Sequence, residues 1–356
     1  MQNVLDSNSV LEVLRPVEDP ELRKSLVELN MIRNVKIKDG KVSFTLVLTT
    51  PACPLREFIV EDCQKAVKKL PGVTDVSVEV TAETPQSKSL PDRNGVPGIK
   101  NIIAVSSGKG GVGKSTVAVN IAVALAQTGA KVGLLDADIY GPNDPTMLGL
   151  ESAAINVREG EKGEILEPAF NHGVKLVSMG FLIDRDQPVI WRGPMLNGVI
   201  RQFLYQVEWG QLDYLIVDMP PGTGDAQLTL TQAVPIAGAV IVTTPQNVAL
   251  LDSRKGLRMF QQLKVPVLGI IENMSYFIPP DMPEKQYDIF GSGGGSKTAA
   301  ELEIPLLGCV PLDISTRVGG DSGVPIVVAD PDSASAKALK EISLVIAGKV
   351  SVAALT

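Results

Sequence analysis

The segment Ser106-Ser107-Gly108-Lys109-Gly110-Gly111-Val112-Gly113-Lys114-Ser115-Thr116 constrains this 356-residue chain more than any other. An apolar run, Ile102-Ile103-Ala104-Val105, precedes it and reads as a buried strand. Val117 to Ala126 follows and reads as a helix. Between a strand and a helix, the spacing G-x-x-x-x-G-K-S from Gly108 to Ser115 predicts a phosphate-binding loop. Glycines let backbone N–H groups wrap phosphates, and the helix N-terminus turns its positive end toward them. Lys114 is then placed to reach the β- and γ-phosphates, and the Ser115 hydroxyl to ligate Mg²⁺. The bland alternative is a glycine-rich turn with no ligand.

The strands around this loop are read as nearly continuous apolar runs: Lys131 to Leu135, Lys175 to Met179, Asp213 to Val217, Ala239 to Val242 and Val267 to Ile271. Runs of that kind separated by helices imply a mostly parallel sheet covered on both faces, an α/β fold with its chemistry at the carboxyl ends of the strands. Ahead of it, residues 1–82 read as a small α+β domain. Helical patterning covers Asn8 to Leu14 and Asp19 to Leu29, with Leu11 to Leu29 as one packed helix. An Asp39-Gly40 hairpin joins strands at Ile32–Ile37 and Val42–Leu48, a helix runs from Leu55 to Leu70, and a strand begins at Val76. Residues 83–98, rich in Pro, Ser, Gly and Asn, read as a linker, and 99–356 as the phosphate-loop domain, closed by a helix from Ala334 to Leu355. The chain carries no internal repeat.

A net charge of −7 argues against a general nucleic-acid binder. With no secretory leader and no apolar run long enough to cross a bilayer, the expectation is a cytoplasmic protein without a membrane partner. Three scattered cysteines suit a reducing compartment and cannot form a disulfide framework.

Asp213 to Asp225 is an apolar strand ending in a carboxylate and then a glycine-rich turn, so Asp218 is expected to hold Mg²⁺ through a water. Gly222 and Gly224 would let that turn move with the γ-phosphate. Lys109, one residue after the first glycine, makes the loop resemble the deviant phosphate loop of the ATPases that include MinD, ParA and the nitrogenase iron protein. Within that group, Asp136-Ala137-Asp138-Ile139-Tyr140-Gly141-Pro142-Asn143, Met219 to Asp225, Glu272-Asn273-Met274-Ser275-Tyr276-Phe277 and Asp288-Ile289-Phe290-Gly291 resemble the Mrp/ApbC family of iron–sulfur cluster carriers over roughly residues 95–345. Arg192 and Gly193-Pro194-Met195 also match, without an assigned role.

The resemblance implies ATP and Mg²⁺ as cofactors, with ATP hydrolysed between the two subunits of a homodimer. Gly108, Gly110, Gly111, Val112, Gly113, Lys114, Ser115 and Thr116 would bind the phosphates. Lys109 would reach the partner's phosphates as an arginine finger does; otherwise it is a solvated loop lysine. Asp138 would orient the attacking water, or else support the magnesium site indirectly. Asn273 would read the adenine edge, or merely cap a strand end.

The first domain resembles the PaaD-like domain of metal–sulfur cluster assembly through Asp19-Pro20-Glu21 and Thr49-Thr50-Pro51-Ala52-Cys53-Pro54. With Pro54 at the first helical position, Cys53 would sit at a helix N-terminus with its thiol pKa lowered, as an iron–sulfur ligand; the competing reading is a buried, inert cysteine. Cys63 and Cys309 are expected in the core. Most Mrp/ApbC members carry a Cys-x-x-Cys pair after the Asn-Met-Ser-Tyr-Phe segment, and the two pairs of a dimer hold a bridging cluster. Here Pro279 and Met282 stand at those positions. The implied partners are therefore a second copy and apo-protein clients or a scaffold. A positioning ATPase of the MinD or ParA kind, or a regulatory nucleotide switch, is the alternative. Arg254, Lys255, Arg258 and Lys264 read as a solvated basic face.

Overall fold

The computed structural model describes residues 5–87, 95–138, 141–160, 163–181, 193–233 and 235–355, which fall into two compact units. Ile139, Tyr140 and Arg192 lie outside the described residues.

The first unit comprises residues up to Pro85 together with Ala347–Thr356. Its helix α1 (Ser7–Leu14) opens on a reciprocal cap, in which Asp6 Oδ1 accepts the Ser9 N–H at 2.8 Å and Ser9 Oγ accepts the Asp6 N–H at 3.0 Å. The expected helix over Asp19–Leu29 does not form. Asp19 Oδ1 instead accepts the N–H groups of both Glu21 and Leu22 at 2.9 Å, and two-residue strands β1 (Glu18–Asp19) and β2 (Lys24–Ser25) flank the turn. Pro16 and Pro20 deny the helix its donors, and the aspartate offers the backbone a turn in its place. Strands β3 (Ile32–Lys38) and β4 (Lys41–Leu48) pair antiparallel, and β4 pairs parallel with β5 (Asp75–Ala82) across helix α2 (Arg56–Val67). Val10, Leu14, Phe44, Leu46, Ile59 and Cys63 share its core.

The second unit, residues 86–346, is built on an eight-stranded sheet. In chain order its elements are β6 (Ile99–Ser107), α3 (Lys114–Gln127), β7 (Val132–Asp136), α4 (Asp144–Met147), the antiparallel pair β8 (Asn156–Gly160) and β9 (Gly163–Glu167), β10 (Ala169–Asn171), β11 (Val174–Ser178) and α5 (Gly193–Tyr205). Then follow β12 (Leu212–Asp218), α6 (Asp225–Ala233), β13 (Ile236–Thr243), α7 (Asn247–Gln262), β14 (Val267–Phe277), α8 (Gly294–Glu301), β15 (Leu306–Leu312), α9 (Ile314–Ser322), α10 (Ile326–Ala329) and α11 (Ala334–Leu355). The last residues of α11, from Ala347, belong to the first unit.

The strand order is β10-β11-β7-β12-β6-β13-β14-β15, parallel throughout except at the β10 edge. The phosphate-loop strand β6 thus lies in the middle of the sheet, between β12 and β13, and is buried on both faces as its unbroken apolar run requires. Register aligns Asp136, the last residue of β7, with Asp218, the last residue of β12, so two carboxylates leave the sheet side by side. The β10 edge and the β8–β9 pair were not expected. Both are short polar strands without the apolar run that marked the others.

Candidate active site

Helix α3 begins at Gly113, which adopts φ +78° and gives the helix no side-chain cap. The first N–H groups of α3 are therefore open to a ligand, at the positive end of the helix. Space around the loop explains its glycines. A Cβ on Gly108 would stand 2.2 Å from the backbone carbon of Asp252 in α7, and one on Gly113 would stand 2.2 Å from Asn273 Nδ2. Asn273, buried within β14, donates its Nδ2 hydrogen to the Val112 carbonyl at 2.9 Å and so braces the loop.

Lys114 is buried, and its ammonium donates to Asp218 Oδ1 at 2.6 Å and lies 3.5 Å from Asp138 Oδ2. Ser115 Oγ donates to Asp218 Oδ2 at 2.5 Å. The sequence-predicted Lys114, Ser115, Asp138 and Asp218 therefore meet at one point, drawn from α3, from the end of β12 and from the residues after β7. Lys109 takes no part in this cluster among the described contacts. It is half-buried, and its carbonyl accepts from Ser107 Oγ at 2.9 Å. A cavity of about 380 Å³ opens beside the loop, lined among others by Gly113, Thr116, Asn143, Asn273, Pro311 and Asp313. That volume falls in the range of small-ligand sites.

The electrostatics are strained. Burial and the neighbouring Asp218 push the Asp136 carboxyl up to about 8, against hydrogen bonds from Ser178 Oγ and the Asp138 N–H. Burial raises Asp218 as well, although the Lys114 charge opposes it. Burial pulls the Lys114 ammonium down, but the Asp218 charge and hydrogen bond outweigh it and leave the group raised. Asp138 Oδ1 and both oxygens of Asp144 are buried without a hydrogen-bond partner among the described residues. Hard oxygen ligands with unused lone pairs, beside a hydroxyl and a lysine, fit a hydrated Mg²⁺ carrying a triphosphate. Ser115 and Asp218 could hold that ion. Asp144 was missed in the sequence because Asp144-Pro145 reads as an ordinary helix start; three aspartates within nine residues after a strand, Asp136, Asp138 and Asp144, were the available signal.

The family described as NUBPL iron-transfer P-loop NTPase matches residues 98–347, and an iron–sulfur cluster assembly protein family matches residues 7–80. This chain belongs to the iron-transfer P-loop NTPase family. Its relatives within that family include the iron–sulfur cluster carrier protein of Synechocystis sp., 77% identical over 99% of this chain and 100% of the relative. The carrier protein of Deinococcus radiodurans is 47% identical, over 98% of this chain and 97% of its own length. Among solved structures, a nucleotide-binding protein of Archaeoglobus fulgidus in complex with ADP is 40% identical, with a TM-score of 0.58, covering 67% of this chain and 91% of that one. The cell division ATPase MinD of Pyrococcus furiosus, 24% identical with a TM-score of 0.50 over 69% of this chain and 98% of that one, shares the fold.

The iron-transfer family directs attention to thiols. Segment 278–286 is a loop closed by Phe277 and Tyr287, which exchange two backbone hydrogen bonds at 2.8 Å. It carries the half-exposed Met282 and no cysteine. Cys63 is fully buried, as expected. Cys309 is only half-buried on β15, with its Sγ 3.9 Å from Glu272 Oε1. The expectation for Cys53 is corrected. Helix α2 starts at Arg56, not at Pro54, so Cys53 precedes it by three residues. Burial, together with the charges of Glu21 and Asp19, pushes the thiol up to about 11, against the Leu55 N–H and Arg56. A thiol among apolar neighbours and two carboxylates gains nothing from a helix terminus it does not reach. The basic residues of α7 are also partly paired: Arg254 bonds Glu301, and Lys255 bonds Asp252 at 3.1 Å.

Proposed function

We propose that this chain is a cytoplasmic ATPase that carries or helps assemble iron–sulfur clusters, working as a homodimer that encloses ATP and Mg²⁺. In this reading residues 1–82 form a cluster-assembly module joined through 83–98 to the ATPase domain, 99–356. The observation that carries it is the meeting of Lys114, Ser115, Asp138 and Asp218 at the mouth of an uncapped helix, in a chain similar along its whole length to proteins named iron–sulfur cluster carriers.

Without nucleotide, Lys114 and Ser115 are both spent on Asp218. A bound triphosphate offers Lys114 a stronger partner and frees the Asp218 carboxylate to hold the magnesium hydration shell. Magnesium, when bound, neutralises charge on the phosphates. Gly108 to Thr116 line the phosphates, and Asp138, whose Oδ1 has no other partner among the described residues, accepts a hydrogen bond from the attacking water and directs it in line. Lys109 lends its charge to the partner's γ-phosphate. Asn273 holds the loop and borders the cavity that takes the base.

Cluster handling falls to Cys53 across the dimer or to a docked scaffold or client, since the 278–283 segment offers no thiolate and a [4Fe–4S] cluster is usually held by four. Anaerobic reconstitution of wild type and Cys53→Ser, with iron and labile sulfide measured, tests the carrier role. Cluster in wild type alone supports Cys53. Equal content in both removes Cys53 from the scheme, and no cluster in either, with no ATP-dependent transfer to an apo-ferredoxin, removes the function.

A further inference from the structure

The strand that delivers Asn273 to the phosphate loop is irregular just where it does so. From Asn273 to Phe277, β14 advances four residues while its neighbour β15 advances two, from Val310 to Leu312. Met274 opens this bulge with φ at +53°, in the left-handed region that disfavours a residue with a side chain. Bulges beside active sites re-aim side chains. One that carries a disfavoured residue needs a fastening.

Glu272 is placed to supply it. It is 1% exposed, and its partners among the described residues are all neutral. Oε1 accepts the Ser275 hydroxyl, a bond that bridges Asn273 and Met274. Oε2 accepts the N–H of Gly295 in the first turn of α8. That helix has Gly293 at its N-cap and no side-chain cap of its own. The Glu272 carboxylate provides one from β14, where the positive end of the helix offsets its charge. A Cβ on Gly295 would stand 2.8 Å from Oε2, so the glycine is what lets the helix start approach this closely. Burying a carboxylate among neutral partners is costly. Here it fastens the bulge to the start of a helix.

With the loop read as an ATP site, we propose that Glu272 is a positioning residue for nucleotide binding. Through Ser275 and α8 it fixes the bulge that aims Asn273 at the Val112 carbonyl, and so holds the phosphate loop in its binding shape.

ATP dissociation constants and steady-state hydrolysis of full-length Glu272→Ala, Asn273→Ala and the double variant test this. Glu272→Ala is expected to raise Kd and KM for ATP by up to about tenfold with kcat within about twofold, because a braced loop serves ground and transition states alike. In the Asn273→Ala background the same change should add less than about twofold, since the bond it acts through is gone. Glu272→Gln should rescue binding, because its amide oxygen can accept the Gly295 N–H while its nitrogen donates to Ser275 Oγ. Should Glu272→Ala not fold, Ser275→Ala, which leaves the α8 cap in place, should give a several-fold loss that again vanishes in the Asn273→Ala background. Losses that multiply in the double variant would overturn the proposal, as would single variants with wild-type Kd. Wild type that binds no ATP would overturn the reading of the loop itself, and the proposal with it.

Discussion

The nucleotide site and the Cys53 neighbourhood both hold reactive groups among carboxylates, yet they are left in opposite states. Around the phosphate loop, buried oxygens of Asp138 and Asp144 lack partners among the described residues, Lys114 is borrowed by Asp218, and a helix terminus has no side-chain cap. Around Cys53, the carboxylate of Asp19 is satisfied by two N–H groups and the thiol is held protonated by burial. Unmet polar groups mark a place that a ligand completes, because burying them without one is costly. A quiet thiol marks a place that waits for a partner to displace its proton. The first region is built for a small ion and a phosphate; the second shows no such readiness.

The largest effects should come from the two lysines. Lys114→Ala and Lys109→Ala are each expected to slow steady-state ATP hydrolysis by about a thousandfold or more. Only Lys114→Ala should also weaken ATP binding to the isolated monomer, by equilibrium dialysis; equal loss of binding in Lys109→Ala would place that lysine at its own subunit's phosphates. Cys53 sharpens the contrast at an intermediate scale. A thiol moved from 9.0 to about 11 carries roughly a hundredfold less thiolate at neutral pH, so iodoacetamide labelling of the Cys53 peptide should be slower by about that factor than for a free cysteine. Because the shift is upward, labelling should keep rising about tenfold per pH unit from 7 to 10. A plateau below pH 9 would show an activated thiol and erase the difference between the two regions. The smallest effect belongs to Asn273→Ala, which removes the bond to Val112. ATP affinity measured by calorimetry should fall about tenfold, the worth of one buried hydrogen bond at about 1.4 kcal/mol.

Much of this was legible in the chain. Strands β6, β7, β11, β12, β13 and β14 were marked by apolar runs because a strand covered on both faces has no polar side to show. The loop was marked by glycines that close contacts with the Asp252 backbone and the Asn273 side chain make necessary. The helix read over Asp19–Leu29 failed because a single aspartate side chain outcompeted helical bonding there. The placing of Cys53 at a helix terminus failed for a similar reason, since a shift of two residues in where α2 begins separates the thiol from that terminus.

The order of residues determined that a phosphate loop forms, which lysine and serine it presents, and that the 278–283 segment has no thiol. These are local facts, set by spacing along a strand, a turn and a helix. What the sequence could not decide is which distant carboxylates share one buried space. Asp136 and Asp218 meet because β7 and β12 pair in parallel and end in register, and α4 brings Asp144 against them. Their charges then act on one another across the fold, since electrostatic interaction depends on distance through the protein and not along the chain.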